Sequence, residues 1–444
     1  MARAWPWLLV VLGLSPALLV HAADPPSVPV HANGQQVSIA VFDNPNTVAP
    51  AGATTLSGRL VADNVFQTLF RLGPHGTVRP DLAESALVAG NTVTVVLAGA
   101  HLTNGRPVTA AVVAAALSRL VTPGGSTATT QRLLADVVGV NQVELGRAAA
   151  VSGIQTAGAH RLVFHLKAAS STFIASLANP VLGIVPTTDL TQGGPYWQTT
   201  NLIGSGGYTL DQFEPNALMD FSRSAGPAVT ITRYPTFSEA WHAFQNGAVA
   251  ALPVSLTERG MLPASARPRL RYLDTGGALT LMVNAGVPGP WATGAGAVAL
   301  EGVGLARWVH AALGPSVAPS ASPLAAVAPP GAPAAGTASH TPIPLAVDAS
   351  NPLSAALGRA LTTLAPHRFV VQDLTAATLR REWAAGTLAA VLAPVFPNDP
   401  WAAPAHGTPA SVSLAPTGAF WLLAPSLHGV QAFSDGALNW ATAP

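Results

Sequence analysis

The sequence predicts a mixed α/β protein built from two or more lobes. Its 444 residues exceed what one hydrophobic core usually serves. Apolar residues make up 49% of the chain, which is enough to bury large cores and argues against disorder. Strand and helix patterns alternate along the chain without a fixed repeat length. This alternation fits a mixed α/β architecture better than a barrel or a propeller.

The composition excludes several classes of protein. Cysteine is absent, which excludes disulfides, iron–sulfur ligation, thiol catalysis and a thioether lipid anchor. The 21 basic and 20 acidic side chains nearly cancel, and no basic stripe exists that could approach phosphates. Nucleic acid is therefore not an expected partner. No cofactor motif is found in a context that would support it, and none is expected.

The N-terminal segment 1–22 is typical of an export signal. Arg3 is followed by the apolar run 5–20 and by small or compact residues up to Ala22, which is the pattern of a cleaved signal peptide. The alternative is a membrane anchor, but the apolar run is shorter than the ~20 residues needed to span a bilayer. Cleavage after Ala22 is expected, and the mature chain is expected outside the cytoplasm.

Strands are predicted where apolar and polar residues alternate or where β-branched residues cluster. These segments are 36–42, 92–97, 161–166, 181–185, 228–233, 248–254, 345–347, 369–371 and 419–423. Helices are predicted where apolar residues recur at helical spacing, in one case after the capping residue Thr109. They are 64–72, 109–120, 172–177, 237–245, 353–364 and 374–385. Residues 314–344 are rich in Pro, Ala, Gly, Ser and Thr, which indicates a loop or linker.

The sequence offers no catalytic constellation. The stretch GAGAVA at 294–299 fits a loose dinucleotide pattern but follows VPGPWAT rather than a strand, so a loop is predicted there. Ser205 lies between glycines but lacks the register of a nucleophile elbow. His160 and His165 are five residues apart at a strand, so they point to opposite faces and cannot hold one metal ion. An exported α/β chain without a catalytic motif is more typical of a binding protein than of an enzyme.

Five blocks follow one another along the chain in a recognisable order. The most specific is NVFQTLFRLGPHGTVRPDLAES at 64–85, and the others are 92–120, 203–208, 276–285 and 305–313. These blocks resemble the extracellular solute-binding proteins of family 5, the peptide, dipeptide and nickel-binding components of ABC importers, and block 64–85 resembles the family's turn and strand "dG.v.P.LAes". Their order along the chain is difficult to reach by chance, so the chain is identified as similar to this family from about residue 36 to the C-terminus.

The resemblance implies a two-lobed periplasmic binding protein fold, type II and class C-like, with a hinge between the lobes. Lobe I is then expected to comprise 23–250 and 419–444, with an inserted subdomain at about 61–164. Lobe II is expected to comprise 251–418 and to contain the Pro/Ala-rich loop 314–344. Such lobes close over a ligand in the cleft, and a membrane partner reads the closure.

The resemblance also implies ligand contacts. In peptide-binding members an Asp in the segment "aDY.dP" pairs with the ligand's amino terminus, and this segment corresponds to LAPVFPNDP at 392–400. Phe396 then stands where the anchoring Asp is expected, so either Asp399 has taken over or the ligand is not a free-amine peptide. The implied ligand-binding residues are Asn44, Pro45, Val395, Phe396, Asn398, Asp399, Trp401 and Trp421. Each of these residues has an alternative role. Asp399 could form a turn before Pro400, and Asn44 and Pro45 could form an ordinary turn. The tryptophans could occupy core positions.

The expected function is that of a periplasmic substrate-binding protein, a monomer and not an enzyme. It would bind a peptide or similar small solute and deliver it to an inner-membrane ABC permease. Without a lipidation cysteine it is expected to be free in the periplasm. A degenerate relative that serves as a structural or interaction module is the alternative, because the family's motif is altered at 104, 111, 205, 207 and 396. An exported hydrolase is a third reading, with no motif to support it.

Overall fold

The structure is a computed structural model, and it describes most of the chain. The described residues are 36–186, 202–214, 216–223, 227–321, 324–328, 341–398, 401, 404–405, 409–427 and 429–440. The expected export signal and the candidate ligand residue Asp399 lie outside these ranges, as do residues 322–323 and 329–340 of the Pro/Ala-rich segment. Among the described residues, no helix is both long enough and apolar enough to span a bilayer.

Eighteen strands and eleven α-helices are found in the described residues, and the predicted mixed α/β class is confirmed. The strands are β1 Gln36–Val41, β2 Phe70–Leu72, β3 Val78–Pro80, β4 Ala83–Ala89, β5 Thr92–Leu97, β6 Ile154–Thr156, β7 Arg161–His165, β8 Tyr208–Glu214, β9 Leu218–Arg223, β10 Ala228–Arg233, β11 Ala251–Val254, β12 Leu270–Asn284, β13 Ile343–Asp348, β14 Phe369–Leu374, β15 Ala390–Val395, β16 Pro409–Leu423, β17 Gln431–Ala432 and β18 Leu438–Asn439. The helices are α1 Leu56–Val65, α2 Ala110–Arg119, α3 Ala128–Leu134, α4 Val140–Glu144, α5 Phe173–Ser176, α6 Phe237–Gln245, α7 Leu256–Met261, α8 Ala295–Val303, α9 Leu305–Leu313, α10 Pro352–Leu364 and α11 Ala376–Ala384.

Ten of the strands form one sheet in the order β14-β13-β15-β12-β16-β11-β1-β10-β9-β8. Two neighbouring strands of this sheet, β12 and β16, are 15 residues long and antiparallel. One half of β16 pairs with β11, whereas the opposite half of β12 pairs with β15. The pairing between β12 and β16 is interrupted between Asp274 and Ala278. These two strands therefore connect the two halves of the sheet, and the interruption marks the point where one half gives way to the other.

Three large hydrophobic clusters of buried residues are built around these sheets. The first packs α8, α9 and α10 against β12 to β15, with Trp308 fully buried. The second surrounds the four-stranded sheet β4-β5-β7-β6 and lies within residues 69–184. The third joins α1 to β1, β8, β9 and β10, and includes Trp440 near the end of the chain. The polypeptide thus buries its apolar surface in separate cores, as its length leads one to expect.

The prediction of a helix over 64–72 is wrong. Helix α1 ends at Val65, and Phe70–Leu72 form β2. The main-chain N–H of Gln67 donates to Ser205 Oγ at 3.1 Å, and that of Thr68 donates to Asp81 Oδ2 at 3.2 Å. These long-range bonds provide partners for the backbone N–H groups of Gln67 and Thr68, which a helix would otherwise use. The spacing of the apolar residues at 64–72 therefore does not mark one face of a helix.

Two shorter predictions are also wrong. The strand predicted over 181–185 is replaced by a single turn of 3-10 helix, Pro180–Leu182, in which Asn179 accepts from the N–H of Val181. The loop predicted over 294–299 is the start of α8, because Gly294 adopts a left-handed backbone (φ 81°) that starts the helix. At Gly296 a Cβ would lie 2.4 Å from the Trp291 ring, so the glycines there allow close helix packing.

Candidate functional site

A cavity of about 460 Å³ lies where β12 and β16 pass between the two halves of the sheet. Its volume is in the range of small-molecule sites, ~300–1,000 Å³. Four aromatic side chains, Phe42, Phe396, Phe420 and Trp421, contribute to its lining. Trp421 is 1% exposed, and its indole N–H donates to the carbonyl of Gly436 at 3.3 Å. The cavity is therefore a mainly apolar pocket with flat walls.

The first turns of three helices also line the pocket, through Leu56 of α1, Leu256 of α7 and Leu353 of α10. A helix N-terminus attracts anions because its first N–H groups lack partners. Here side chains of the protein already accept from these groups. Asp43 accepts from the N–H of Leu56 and Ser57 at 2.9 and 3.0 Å.

The other two helices are capped in the same way. Asn351 accepts from the N–H of Leu353 and Ser354 at 3.1 and 3.0 Å. Ser255 and Glu258 form a reciprocal capping box on α7. The positive ends of the helices are thus satisfied internally, and they offer little to an anionic ligand.

The charged wall of the pocket comes from α1 and from the turn between β17 and β18. Arg59 Nε lies 3.2 Å from Asp435 Oδ2, and both side chains are about one quarter exposed, 28% and 26%. Asp63, one helical turn after Arg59, is 9% exposed and lies close enough to Asp435 and Arg59 to feel both charges. Burial, followed by the charge of Asp435, raises the pKa of Asp63 well above its usual value.

Asn64 fixes this wall in place. Its side-chain amide donates to the carbonyls of Leu60 and Leu438 at 2.8 and 3.0 Å. Its oxygen accepts from the N–H of Trp440 at 3.1 Å. All three bonds are buried, so α1 and the C-terminal hairpin are held as one unit beside the pocket.

The structure brings only some of the predicted ligand residues together. Phe396 and Trp421 line the pocket. Asn44 and Pro45 line a separate crevice of about 10 Å³, where the Asn44 amide donates to Asn216 at 2.5 Å. Trp401 lies against another cavity of about 290 Å³ and stacks under Arg380 at 4.7 Å.

The remaining predicted residues neighbour Phe396 in the chain. Val395 ends β15 and pairs with Ala278 of β12. Asn398 is 1% exposed, and its amide is 3.5 Å from Ser434 Oγ, which places it beside the C-terminal hairpin. Asp399 lies outside the described residues. Its proposed role as the amine anchor stays a prediction.

No sequence pattern indicated the charged wall. Arg59 and Asp63 are spaced as neighbours on one helix face, but the helix was expected to start at residue 64. Asp435 lies in a segment whose only recognisable pattern is turn residues. Its ion pair with Arg59 of α1 joins segments that are close to opposite ends of the chain. Among the described residues, no group of three His, Asp or Glu could hold a metal ion, and we assign no cofactor contact.

Comparison with known proteins identifies the fold and finds a partial match to one family profile. Residues 77–257 match the sequence profile of bacterial extracellular solute-binding proteins, family 5 Middle. No curated protein matches the chain in sequence.

Among solved structures, the chain is similar to the unliganded open form of MppA, a periplasmic murein tripeptide binding protein. The two sequences are 16% identical, the match covers 94% of this chain and 98% of MppA, and the TM-score is 0.67. It is similar to the binding protein AgaA of A. tumefaciens R10 in complex with agropinic acid, with 15% identity, coverage of 92% and 97%, and a TM-score of 0.56. It is also similar to Listeria monocytogenes OppA bound to peptide, with 11% identity, coverage of 91% and 98%, and a TM-score of 0.55.

These structures share the two-lobed periplasmic binding protein architecture, so the predicted fold class is confirmed. The cavity lies at the two strands, β12 and β16, that connect the halves of the large sheet.

Proposed function

We propose that the protein is the substrate-binding component of an ABC importer, which takes up a peptide or similar small solute in the 460 Å³ pocket and delivers it unchanged to an inner-membrane permease. The observation that carries the proposal is the position of this pocket, at the two strands that link the halves of the large sheet. A ligand there contacts both lobes at once, so its binding favours their closure.

The lining supports binding of a small solute rather than of a macromolecule. The pocket is concave and mainly apolar, and its few polar groups are held by capping and ion-pair contacts before any ligand arrives. Such preorganisation reduces the entropy cost of binding. The structural neighbours MppA and OppA, which are described as tripeptide-binding and peptide-bound, make peptides the first solutes to test.

The hinge of this proposal is the segment where β12 and β16 lose their regular pairing. Thr275 and Thr417 are hydrogen-bonded to each other at 2.8 Å there. We propose lobe I as 23–250 and 419–444, with its subdomain at about 61–164, and lobe II as 251–418. We further propose a monomer that is exported by cleavage after Ala22 and works in the periplasm without a lipid anchor.

A ligand-dependent thermal shift tests the proposal. The mature protein, 23–444, is heated with di- to tetrapeptides and other small solutes. A ligand at 100 times its Kd stabilises the fold by ~2.7 kcal/mol, which is a shift of about 3 °C for a chain of this length that unfolds as one unit.

A matched pair of variants ties the shift to the pocket. Leu256→Trp fills the cavity from α7, whereas Met261→Trp lies on the same helix at a position that is 72% exposed. We expect L256W to abolish the ligand shift and M261W to keep it. Equal shifts in both variants would place the ligand elsewhere. The absence of any shift across the solute panel would favour the structural or interaction module.

A further inference from the structure

The apolar walls of the pocket come from separate parts of the chain. Phe42 follows β1, Phe396 follows β15, and Leu256 belongs to α7. All three side chains are half-buried, so each keeps apolar surface that a solute can cover. Phe420 and Trp421 of β16 add two rings that are only 4% and 1% exposed. A solute that covers these walls gains the free energy of removing apolar surface from water.

Three charged residues line the pocket within the described part of the chain, and two of them form an ion pair. Arg59 Nε lies 3.2 Å from Asp435 Oδ2, and Arg59 Nη1 donates to the carbonyl of Thr54 at 2.6 Å. Asp435 Oδ1 accepts from the N–H of Ala437 at 3.0 Å. The pair is neutral as a whole, and each of its members is held by a second protein group.

The third charged residue, Glu258, belongs to the cap of α7. Its Oε2 accepts from the N–H of Ser255 at 2.8 Å, and Ser255 Oγ accepts from the N–H of Glu258 at 3.2 Å. The positive end of the helix stabilises a carboxylate at this position. Asn351 caps α10 through its side-chain oxygen in a similar way. Glu258 therefore does not need a cation from the solute.

The other uncharged polar side chains of the lining have partners too. Thr275 and Thr417 are hydrogen-bonded to each other at 2.8 Å, and Thr417 Oγ1 accepts from the N–H of Gly277 at 3.0 Å. Ser434 Oγ lies 3.5 Å from the side-chain amide of Asn398. Among the described residues, every polar side chain of the lining thus contacts another group of the protein.

A charged group on a solute would have to compete for these contacts. An ammonium group that pairs with Asp435 competes with Arg59, and a carboxylate that pairs with Arg59 competes with Asp435. Either contact weakens the existing ion pair, and the solute also loses the hydration of its own charge. An uncharged solute avoids both costs and still covers the apolar walls.

We propose that the pocket selects a compact, uncharged and largely apolar solute, which is held by the rings of Phe42, Phe396 and Phe420 rather than by an ion pair. Among peptides, this class comprises cyclic dipeptides and short peptides with both ends blocked. The inference rests on the proposed solute-binding function and names the chemistry of its ligand. The apolar walls supply the affinity, and the pair of Arg59 and Asp435 discriminates against charged solutes.

Four peptides with the same two apolar residues test the inference. Their amino end is free or acetylated and their carboxyl end is free or amidated, so the two charges vary independently and one peptide is uncharged. Calorimetry with the mature protein at neutral pH measures each affinity. We expect the doubly blocked peptide to bind more tightly than each peptide with one charged end, by about tenfold or more.

Apolar content should set the affinity within the uncharged class. In the doubly blocked peptide, one side chain is lengthened from that of alanine by one methylene at a time. We expect the affinity to rise about fourfold for each methylene that the pocket buries. An affinity that does not respond to apolar content would overturn the inference.

Three variants test whether the ion pair excludes charged solutes. Arg59→Met leaves Asp435 without its partner, so we expect the free-amine amide to gain about tenfold or more in affinity relative to the doubly blocked peptide. Asp435→Asn frees Arg59 instead, and the acetylated free acid should gain. Arg161→Met, at an exposed position of β7, is the control and should keep the preference of the parent protein. An unchanged preference in folded R59M or D435N would overturn the role of the pair.

The outcomes distinguish failure of this inference from failure of the proposed function. Tightest binding by the free-amine amide, by the free acid or by the doubly charged peptide would overturn the inference and leave solute binding intact. Equal affinity of all four peptides would show that both ends lie outside the pocket, and would also overturn it. If none of the four binds, the proposed peptide ligand is rejected together with the inference.

Discussion

The contact between Gly277 and Phe396 at the hinge leads to our first prediction. A Cβ added at Gly277 would lie 2.5 Å from Cδ1 and Cε1 of the Phe396 ring and 2.7 Å from Thr417 Oγ1. The ring distance is about 0.9 Å inside the 3.4 Å at which ordinary contact begins. Overpacking of this kind typically costs about 1–3 kcal/mol. We therefore expect Gly277→Ala to lower the free energy of unfolding by that amount.

The cost should depend on the ring. Phe396→Ala removes a half-buried side chain, so we expect it to cost about 2 kcal/mol, less than the ~3–5 kcal/mol of a fully buried one. In this background the new methyl group no longer meets the ring, and Gly→Ala stabilises by about 0.4–1 kcal/mol through the unfolded chain. The contact with Thr417 Oγ1 at 2.7 Å remains and offsets this gain, so Gly277→Ala should then be close to neutral.

Urea unfolding of the parent, both single variants and the double variant measures the coupling. We expect the effects to be non-additive by about 1 kcal/mol or more, as for residues in direct contact. If Gly277→Ala costs the same with and without Phe396, to within about 0.3 kcal/mol, the ring does not fill the space beside the hinge and the reasoning is refuted.

Three further predictions concern stability alone. The pKa of Asp63 is higher in the folded protein than in the unfolded chain, so the free energy of unfolding should fall as pH rises from about 4 through that raised value, by up to ~1.4 kcal/mol per pH unit. Asp63→Asn should flatten this part of the pH profile of unfolding. An unchanged slope would contradict the assignment. Asn64→Ala breaks three buried hydrogen bonds and should cost about 2–4 kcal/mol, with faster amide exchange at Trp440; protection at Trp440 as in the parent would argue against the link. Thr130 donates to the carbonyl of Leu120 at 2.7 Å and closes the N-terminal box of α3, so Thr130→Val should cost about 1–2 kcal/mol in thermal unfolding, and a loss under about 0.5 kcal/mol would show that this box is dispensable.

The sequence predicted those elements whose pattern is local. Helix α6 and strands β5 and β10 have the predicted bounds, since their capping residues and alternation are local features. The helix expected from residue 64 failed because partners more than one hundred positions away bind the backbone N–H and C=O of Gln67. Local periodicity carries no information about such partners.

The same difference limits prediction of the site. The resemblance pointed to Phe396 and Trp421, which line the pocket, because these residues lie on or beside regular strands. It gave no indication of Asp435, which lies in the turn before the last strand and pairs with Arg59 of α1. A charge in a patternless turn can be assigned a place only when the tertiary fold is known.

The wall that Asn64 joins to Leu438 and Trp440 has a consequence for how the protein matures. Its bonded partners are separated by 374 and 376 positions in the chain. Translation delivers the N-terminal part first, so α1 must wait, with its acidic side chain uncovered, until almost the whole polypeptide has been made. The charged wall is consequently among the last parts to assemble, and a nascent or truncated chain would have a hydrophobic interior but an incomplete pocket.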